Sequence, residues 1–368
     1  MTQTREPDNP GEPFRDILKE RARGPSQLGH LDPELCERAM EGILSGAATP
    51  AQTAAFLLVG RAAGDSPTEI AAYARAASRF VRKLDTPGEG VVTVAGGFDG
   101  KLRTMNVGAA SSLVAAAAGA KVLMVGGENI PPKEGRTVFD ALRNLGVAAP
   151  QNLDEAARSL GHHGFAATTT EHYLPELHAL LGLRWEMARR TSLNVIEKLV
   201  SPAPGSSPMV GVTHGSFLKS VPRSLVKLGV ARALVFQAIE GSDEAPLDGK
   251  SSLILIREGE VEEFRVEPES LGLHRALGSH IPWQGEEDEA NIVESALGGE
   301  RNEVRNLIIY NAALRVWMSG ESGGASLKES VEKTRDALDS QILAAGSRSA
   351  PSASPSSLRF GSRKSGGS

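Results

Sequence analysis

The stretch VVTVAGGFDGKLRTMNVGAASSLVAAAAGAKVLMVGGEN, residues 91–129, decides the fold of this 368-residue chain. A short β-branched run at residues 91–95 leads into a glycine-containing loop and then into an alanine-rich segment, residues 106–119, that favours a helix. A second apolar run, residues 122–125, repeats the pattern with the glycine-containing loop of residues 126–129. Two such units in succession predict a mostly parallel sheet whose ligands bind at the carboxyl ends of the strands.

Further runs along the chain extend the predicted sheet and its covering helices. Strands are predicted at residues 210–212, 233–237 and 253–257, and helices at residues 138–145, 288–297, 303–318 and 326–345. We therefore predict an α/β domain over residues 90–346, with a central mostly parallel sheet flanked by helices.

The first part of the chain has a different pattern, because the apolar residues of residues 14–82 follow helical spacing throughout. Thr49-Pro50-Ala51-Gln52 and Ser66-Pro67-Thr68-Glu69 are two capping boxes with proline at the first helical position. This pattern predicts a small N-terminal helical bundle domain over residues 13–86.

Composition excludes several classes of protein. Cys36 is the single cysteine, which rules out an internal disulfide framework and a thiolate-rich zinc site. A net charge of −5 argues against a protein that coats duplex DNA. Residues 107–127 are mainly alanine and glycine, too weakly apolar to span a bilayer, and residues 1–13 lack the core of a signal peptide. We expect a cytoplasmic protein with no membrane partner, ending in a disordered, mildly basic tail over residues 347–368.

Three segments carry residues suited to chemistry. Glycines at residues 96–100 allow backbone amides to approach an anion, although a tight strand–helix turn explains them equally well. Lys133 and Arg136, after the second glycine loop, face either a phosphate or solvent. The acidic run Glu240-Gly241-Ser242-Asp243-Glu244 follows a strand and suits Mg²⁺, although adjacent acids are common. Together these segments indicate a site for an anionic sugar phosphate.

Residues 14–345 resemble the anthranilate phosphoribosyltransferases, within the superfamily that also contains the pyrimidine nucleoside phosphorylases. The resemblance rests on LDPELCERAMEGILSGAATPAQTAAFLLVGRAAGDSPTEIAAYARA at residues 31–76, on GSDEAPL at residues 241–247, and on RNLIIYNAALRVWMSG at residues 305–320. The last of these contains the family's Asn-Ala-Ala signature at residues 311–313.

The resemblance implies a fold, an activity and partners. It implies that residues 173–199 complete the helical domain and that a homodimer forms through that domain. It also implies a magnesium-dependent transferase that moves the phosphoribosyl group of phosphoribosyl pyrophosphate to anthranilate, in tryptophan biosynthesis. Such a reaction depends on stabilising the departing diphosphate, so no general acid or base is expected.

The resemblance also assigns site residues in three groups. Asp243 and Glu244 match the magnesium ligands. The acceptor would be bound by Tyr173, Arg184 and Arg190. Phosphoribosyl pyrophosphate would be bound by Gly96, Gly97, Asp99, Gly100, Thr104, Asn106, Lys133 and Gly135.

At three of the motifs that form this site, the sequence differs from the family pattern. The family's GTGGD loop is replaced by VAGGFDG, and its Asn-x-Ser-Thr by Asn106-Val107-Gly108-Ala109, which lacks two hydroxyls. Its Lys-His-Gly-Asn motif is replaced by Met124-Val125-Gly126-Gly127. These changes predict a divergent acceptor site. The alternative is a non-catalytic paralogue that binds a nucleotide or nucleic acid in the former phosphate cleft, lined by Lys101, Arg103, Lys133 and Arg136.

Overall fold

The computed structural model describes residues 12–24, 29–128, 130–276, 281–320 and 326–346. The described part of the chain begins with four helices, as its helical spacing predicts: α1 (Glu12–Arg21), α2 (Pro33–Leu44), α3 (Pro50–Ala63) and α4 (Pro67–Ser78). Both capping boxes form, because the side chains of Thr49 and Ser66 accept the amides of Gln52 and Glu69 while those residues cap in return.

Seven strands of the described chain form one sheet in the order β3-β2-β1-β4-β5-β6-β7. The first five run parallel, and β6 and β7 are antiparallel to their neighbours. This confirms the predicted mostly parallel sheet flanked by helices. The strands are β1 (Val91–Ala95), β2 (Lys121–Gly126), β3 (Phe165–Thr169), β4 (Ser207–Val212), β5 (Arg232–Gln237), β6 (Ser252–Arg257) and β7 (Glu260–Arg265).

Two of these strands were not predicted. The β3 sequence FAATT contains two alanines and two threonines and lacks the run of larger apolar side chains that marks β1 and β2. The β7 sequence EVEEFR is largely exposed at the edge of the sheet, so four charged residues hide its alternation. Both strands are set by pairing with a neighbour rather than by their own propensity.

Helices cover both faces of the sheet. The larger ones are α5 (Gly108–Ala117), α6 (Val138–Asn144), α7 (Leu153–His163), α12 (Gly215–Lys227), α13 (Glu286–Leu297), α14 (Glu303–Ser319) and α15 (Leu327–Gly346). Four short helices lie between β3 and β4: α8 (Thr170–Tyr173), α9 (Pro175–His178), α10 (Leu181–Met187) and α11 (Leu193–Ile196). No helix in the described ranges has both the length and the apolar character needed to cross a bilayer.

The segment of short helices packs against the front helices. Residues 173–203 share one apolar core with α1–α4 and with one face of the sheet. Backbone hydrogen bonds also connect the segment after α4 to residues 173–203. The Arg82 amide donates to Tyr173 O at 2.8 Å and the Leu84 amide to Pro202 O at 2.8 Å. The domain boundaries at residues 86, 90 and 346 stay a prediction, and the tail of residues 347–368 lies outside the described residues.

Parallel strands place their carboxyl ends at one edge of the sheet. The loop after β1 (residues 96–107), the loop after β2 (residues 127–137) and the segment after β5 (residues 238–244) therefore meet there. All three predicted chemical segments lie in these connections. Asn129, in the second loop, lies outside the described residues.

Candidate active site

The first two loops are bound to each other through their backbones. Lys101 and Arg136 exchange amide–carbonyl hydrogen bonds of 2.8 and 2.9 Å, and the Gly135 amide donates to Asp99 O at 3.0 Å. Gly100 has φ +72°, and a Cβ on it would overlap the Gly135 carbonyl. The close approach of the two loops therefore requires these two glycines.

Not every predicted glycine offers its amide to a ligand. The Gly96 amide donates to Val125 O at 3.2 Å, and the Gly100 amide donates to Gly97 O at 2.7 Å. Pairing with β2 thus accounts for the Gly96 amide, and a tight turn accounts for the Gly100 amide. A phosphate-binding role for this loop stays a prediction.

Two residues assigned to different substrates meet at this edge. Arg190 Nε lies 2.7 Å from Asp99 Oδ2, and its Nη2 contacts the same oxygen. Lys133 Nζ donates to Gly100 O at 3.1 Å and lies 3.8 Å from Glu240 Oε2. Burial lowers the pKa of Lys133, an effect that Asp99 and Glu240 oppose. The structure therefore brings Asp99, Lys133 and Arg190 together.

The Glu240 carboxylate accepts hydrogen bonds from a group of consecutive backbone amides. It accepts the amides of Leu102, Arg103 and Thr104 at 3.2, 3.0 and 2.8 Å, and the Thr104 hydroxyl at 2.7 Å. Burial alone would raise the pKa of Glu240, but these hydrogen bonds outweigh it and lower the pKa to about 2. Consecutive amides aimed at one point form an anion site, and here a side chain of the protein fills it.

The loop that follows is held by α13 and by a stacked aromatic ring. The Asn106 amide donates to Glu289 Oε2 at 3.1 Å, and Asn106 Oδ1 accepts the Gly108 amide at 3.3 Å. The guanidinium of Arg136 lies 3.9 Å from the ring centre of Trp283. Asn106 is buried in this arrangement and its hydrogen bonds orient the loop, so its assigned contact with a ligand stays a prediction.

Asp243 and Glu244 are fully buried, and each faces a cation of the chain. Arg315 Nη2 lies 2.6 Å from Asp243 Oδ2, and Lys101 Nζ lies 2.5 Å from Glu244 Oε2. Glu244 Oε1 accepts the amides of Val107 and Gly108 at 2.8 and 3.0 Å. Burial raises the pKa of Glu244, an effect that the Lys101 charge opposes.

Helix α14 explains why this segment is held so closely. Asn311 Oδ1 accepts the Ala245 amide at 2.8 Å and its Nδ2 donates to Ala245 O at 3.0 Å. Arg315 lies one turn further along the same buried helix face, beside Asp243. The Asn-Ala-Ala signature thus secures the acidic segment. The four-residue spacing from Asn311 is the sequence signal that could have identified Arg315.

The donor set around this pair does not fit magnesium. Mg²⁺ commonly binds through one or two carboxylates, several waters and substrate phosphates. Both oxygens of Glu244 and Oδ2 of Asp243 already accept hydrogen bonds, and Asp243 Oδ1 is the remaining one, buried without a hydrogen-bond partner. We therefore assign no step to a metal.

Two residues assigned to the acceptor lie in the core of the helical unit. Arg184 is 3% exposed and binds both oxygens of Glu197, at 2.8 and 3.2 Å. Tyr173 is fully buried, and burial raises the pKa of its hydroxyl well above the usual value. In this arrangement packing holds Tyr173 and an ion pair holds Arg184, and an acceptor-binding role for either residue stays a prediction. Arg190 is the assigned acceptor residue that reaches the site.

Sequence reasoning missed Lys198 and misplaced Lys101. Lys198 Nζ donates to Gly211 O and Gly241 O, both at 2.8 Å, and burial lowers its pKa to about 8. No motif marks such a lysine, because its partners are backbone carbonyls. Under the nucleic-acid alternative Lys101 would line the cleft, but its side chain is 1% exposed and points inward to Glu244.

Comparisons with known proteins agree with this architecture. Residues 89–341 match the glycosyl transferase family a/b domain, and residues 15–80 match the helical bundle domain of the same family. Anthranilate phosphoribosyltransferase from Rubrobacter xylanophilus is 31% identical over 329 residues, which cover 89% of this chain and 93% of that protein. The enzyme of that name from Thermomicrobium roseum is 32% identical over 315 residues, covering 84% and 89%.

Solved structures show the same fold. Anthranilate phosphoribosyltransferase from Thermus thermophilus superposes with a TM-score of 0.75 at 27% identity, covering 90% of this chain and 96% of that one. The Saccharomyces cerevisiae enzyme, solved in complex with PRPP and Mg, has a TM-score of 0.73 at 19% identity, with 90% and 95% covered. The second likeness concerns the fold alone.

Proposed function

This chain belongs to the anthranilate phosphoribosyltransferase-like family of glycosyl transferases, and we propose that it transfers a phosphoribosyl group from phosphoribosyl pyrophosphate to the amine of a small aromatic acceptor. One observation carries the proposal. Asp99, Lys133 and Arg190 come from three separate segments of the chain and meet at the carboxyl edge of the parallel sheet. Such an edge is where open α/β sheets bind their ligands.

The reaction itself requires little proton transfer. The bond from ribosyl C1 to the diphosphate oxygen breaks and its electron pair leaves with the diphosphate. The acceptor nitrogen forms the new bond to C1 with its lone pair, and the proton released from the amine passes to water. The protein's task is to stabilise charge on the departing diphosphate. We assign this task to Lys133, whose side chain is 23% exposed, and to the exposed Arg103.

Anthranilate is the default acceptor, because it is the acceptor in the names of the relatives. A divergent acceptor site is supported by the buried positions of Tyr173 and Arg184. The Asp99–Arg190 pair would then contact the acceptor or the ribose at the mouth of the site. Replacing Arg190 by Lys keeps the charge but removes the two-point contact with Asp99, so it should raise the KM for the acceptor more than it lowers kcat.

A direct assay tests the proposal. The protein is incubated with phosphoribosyl pyrophosphate and anthranilate, with and without Mg²⁺, and loss of anthranilate fluorescence is followed together with diphosphate release. Lys133→Met should lower turnover about ten- to hundredfold, the effect of losing one charge-assisted bond to phosphate. Lys121→Met, exposed at the opposite end of β2, is the matched control and should leave turnover unchanged. Equal turnover rates for the two variants would reject the assigned role of Lys133 in stabilising the diphosphate. Diphosphate release without loss of anthranilate fluorescence would indicate another acceptor.

We also propose that the chain forms a homodimer through its helical unit. Leu58 on α3 is 37% exposed, beside the exposed Ala51 and Ala62, and Trp185 on the neighbouring α10 is 36% exposed. These apolar side chains are what a self-complementary interface would cover. Leu58→Glu should convert a dimer to a monomer in analytical ultracentrifugation, whereas a wild-type monomer would reject the proposal.

The nucleic-acid alternative retains part of its predicted surface. The Arg103 side chain is 83% exposed beside the exposed Leu102, whereas Lys101 is buried and Arg136 stacks on Trp283. Binding to a single-stranded oligonucleotide that weakens steeply with salt, combined with absence of turnover, would favour the alternative. Phosphoribosyl turnover that is lost in Lys133→Met would exclude a non-catalytic role.

A further inference from the structure

Lys101 lies where the acidic pair would otherwise need a cation. Its ammonium is buried between Glu244 Oε2, 2.5 Å away, and the carbonyl oxygen of Met105. Both partners are oxygens, the ligand type that divalent cations take. A positive charge bound to the chain therefore occupies the position beside Glu244.

The surrounding backbone is built around this ion pair. The other oxygen of Glu244 accepts the amides of Val107 and Gly108 at the first turn of α5. Gly108 stands where the family pattern has a serine, and a Cβ here would overlap Asp243 Oδ2. Both the serine hydroxyl and the space for it are thus absent. Both oxygens of the Glu244 carboxylate already accept hydrogen bonds from the chain.

Asp243 is neutralised in the same way. Its Oδ2 is bound by Arg315, whose remaining donors reach Ser112 Oγ at 2.9 Å and Asn311 O at 2.8 Å. The two acids therefore carry two internal cations, and the pair adds no net negative charge for a metal to neutralise. A divalent cation would have to displace a buried ammonium or guanidinium.

We propose that Lys101 replaces the divalent cation beside Glu244, so that this chain binds its diphosphate-containing ligand without magnesium. The inference deepens the proposed function, and it rests on that function only for the identity of the ligand. The charges that face the diphosphate are then those of Lys133 and Arg103, while Lys101 and Arg315 cancel the repulsion of the acidic pair.

The first experiment needs no substrate. Mn²⁺ is titrated into the full-length wild-type protein and free metal is followed by electron paramagnetic resonance. We expect a Kd weaker than about 1 mM, and saturable binding at tenfold lower concentration would overturn the inference. This readout is independent of turnover, so it separates failure of the inference from failure of the proposed function.

The second experiment compares ligand binding with and without metal. Calorimetric Kd values for phosphoribosyl pyrophosphate and for inorganic diphosphate are measured in EDTA and in excess Mg²⁺. We expect the two conditions to agree within about threefold, and a requirement for Mg²⁺ exceeding about tenfold would overturn the inference. Absence of binding in both conditions, with no Mn²⁺ site, would reject the proposed ligand and the metal-free binding together.

The third experiment creates the missing metal site. Lys101→Met leaves Glu244 without its cation, so 10 mM Mg²⁺ should raise the melting temperature of this variant by at least about 2 °C and that of the wild type by less than about 1 °C. Lys101→Met/Glu244→Gln removes both charges and should not respond. Lys101→Gln serves if the Met variant fails to fold. Absence of a magnesium response in a folded Lys101 variant would show that Lys101 does not occupy a cation position.

Discussion

The pairing of Asp243 with Arg315 can be measured by a double-mutant cycle. Arg315→Met removes the hydrogen bonds to Asp243 Oδ2, Ser112 Oγ and Asn311 O, of 2.6, 2.9 and 2.8 Å, from a side chain that is fully buried. Asp243 Oδ1 already lacks a hydrogen-bond partner, so the variant leaves both of its carboxylate oxygens without a side-chain donor. Breaking such a buried pair costs about 3–5 kcal/mol of unfolding free energy.

We expect Asp243→Asn to lower the unfolding free energy by less than Arg315→Met does. Asp243→Asn keeps the shape and leaves Arg315 bound to Ser112 and Asn311, so it should cost about 1.5–3 kcal/mol, the contribution of one charged hydrogen bond. The double variant removes both charges. It should therefore be more stable than the sum of the single effects predicts, by a coupling energy of about 1.5–3 kcal/mol.

Urea unfolding followed by circular dichroism, at pH 7 and in EDTA, measures the four proteins. EDTA ensures that any coupling comes from the two side chains and not from a divalent cation. Arg301→Met, an exposed arginine beside the start of α14, is the control and should change stability by less than about 0.5 kcal/mol. Additivity of the two single variants within about 0.5 kcal/mol would refute the assigned pair.

Four further predictions follow from buried or crowded positions. Gly108→Ser should lower stability by about 1–3 kcal/mol, because its Cβ overlaps Asp243 Oδ2; an unchanged urea midpoint with faster turnover would contradict this. Arg184→Met should destabilise by about 3–5 kcal/mol through loss of its buried ion pair, and a melting curve like that of the wild type with a raised acceptor KM would instead place Arg184 at the ligand. Cys36 is fully buried and burial raises its pKa to about 12, so it should react with a thiol reagent at pH 8 only after urea unfolding; labelling of the native protein at the rate of a free thiol would refute this. Lys198 has a pKa of about 8 in the folded protein and near 10.5 in the unfolded chain. The unfolded state therefore binds more protons between these pH values, and the free energy of unfolding should rise with pH across that window. Lys198→Met should abolish this rise, and an identical dependence of stability on pH in the variant would exclude Lys198 as its source.

Local patterns predicted the scaffold of this protein well. The apolar runs of β1 and β2, and the capping boxes of α3 and α4, are patterns of residues close together along the chain. Their structures could therefore be predicted from spacing alone. β3 and β7 could not, because each is stabilised mainly by the strand beside it.

The site was harder to predict because its contacts are long-range. Asp99 and Arg190 are 91 positions apart, and Lys101 and Glu244 are 143 apart. A motif shows that a charge is present but not which opposite charge it meets. Glu240 illustrates this, since an acid that suits a metal by its position in the sequence instead accepts three amides and a hydroxyl from the loop after β1.

The shared core of the front helices and residues 173–203 has a consequence for synthesis on the ribosome. Helices α1–α4 leave the exit tunnel roughly a hundred residues before the segment that covers them, and translation at about 5–20 residues per second makes that interval several seconds or more. During this time the apolar core that α3 and α4 share with residues 173–203 in the finished protein lacks the part that those residues supply. The front of the chain is thus translated first but is completed only after three strands of the sheet have been made.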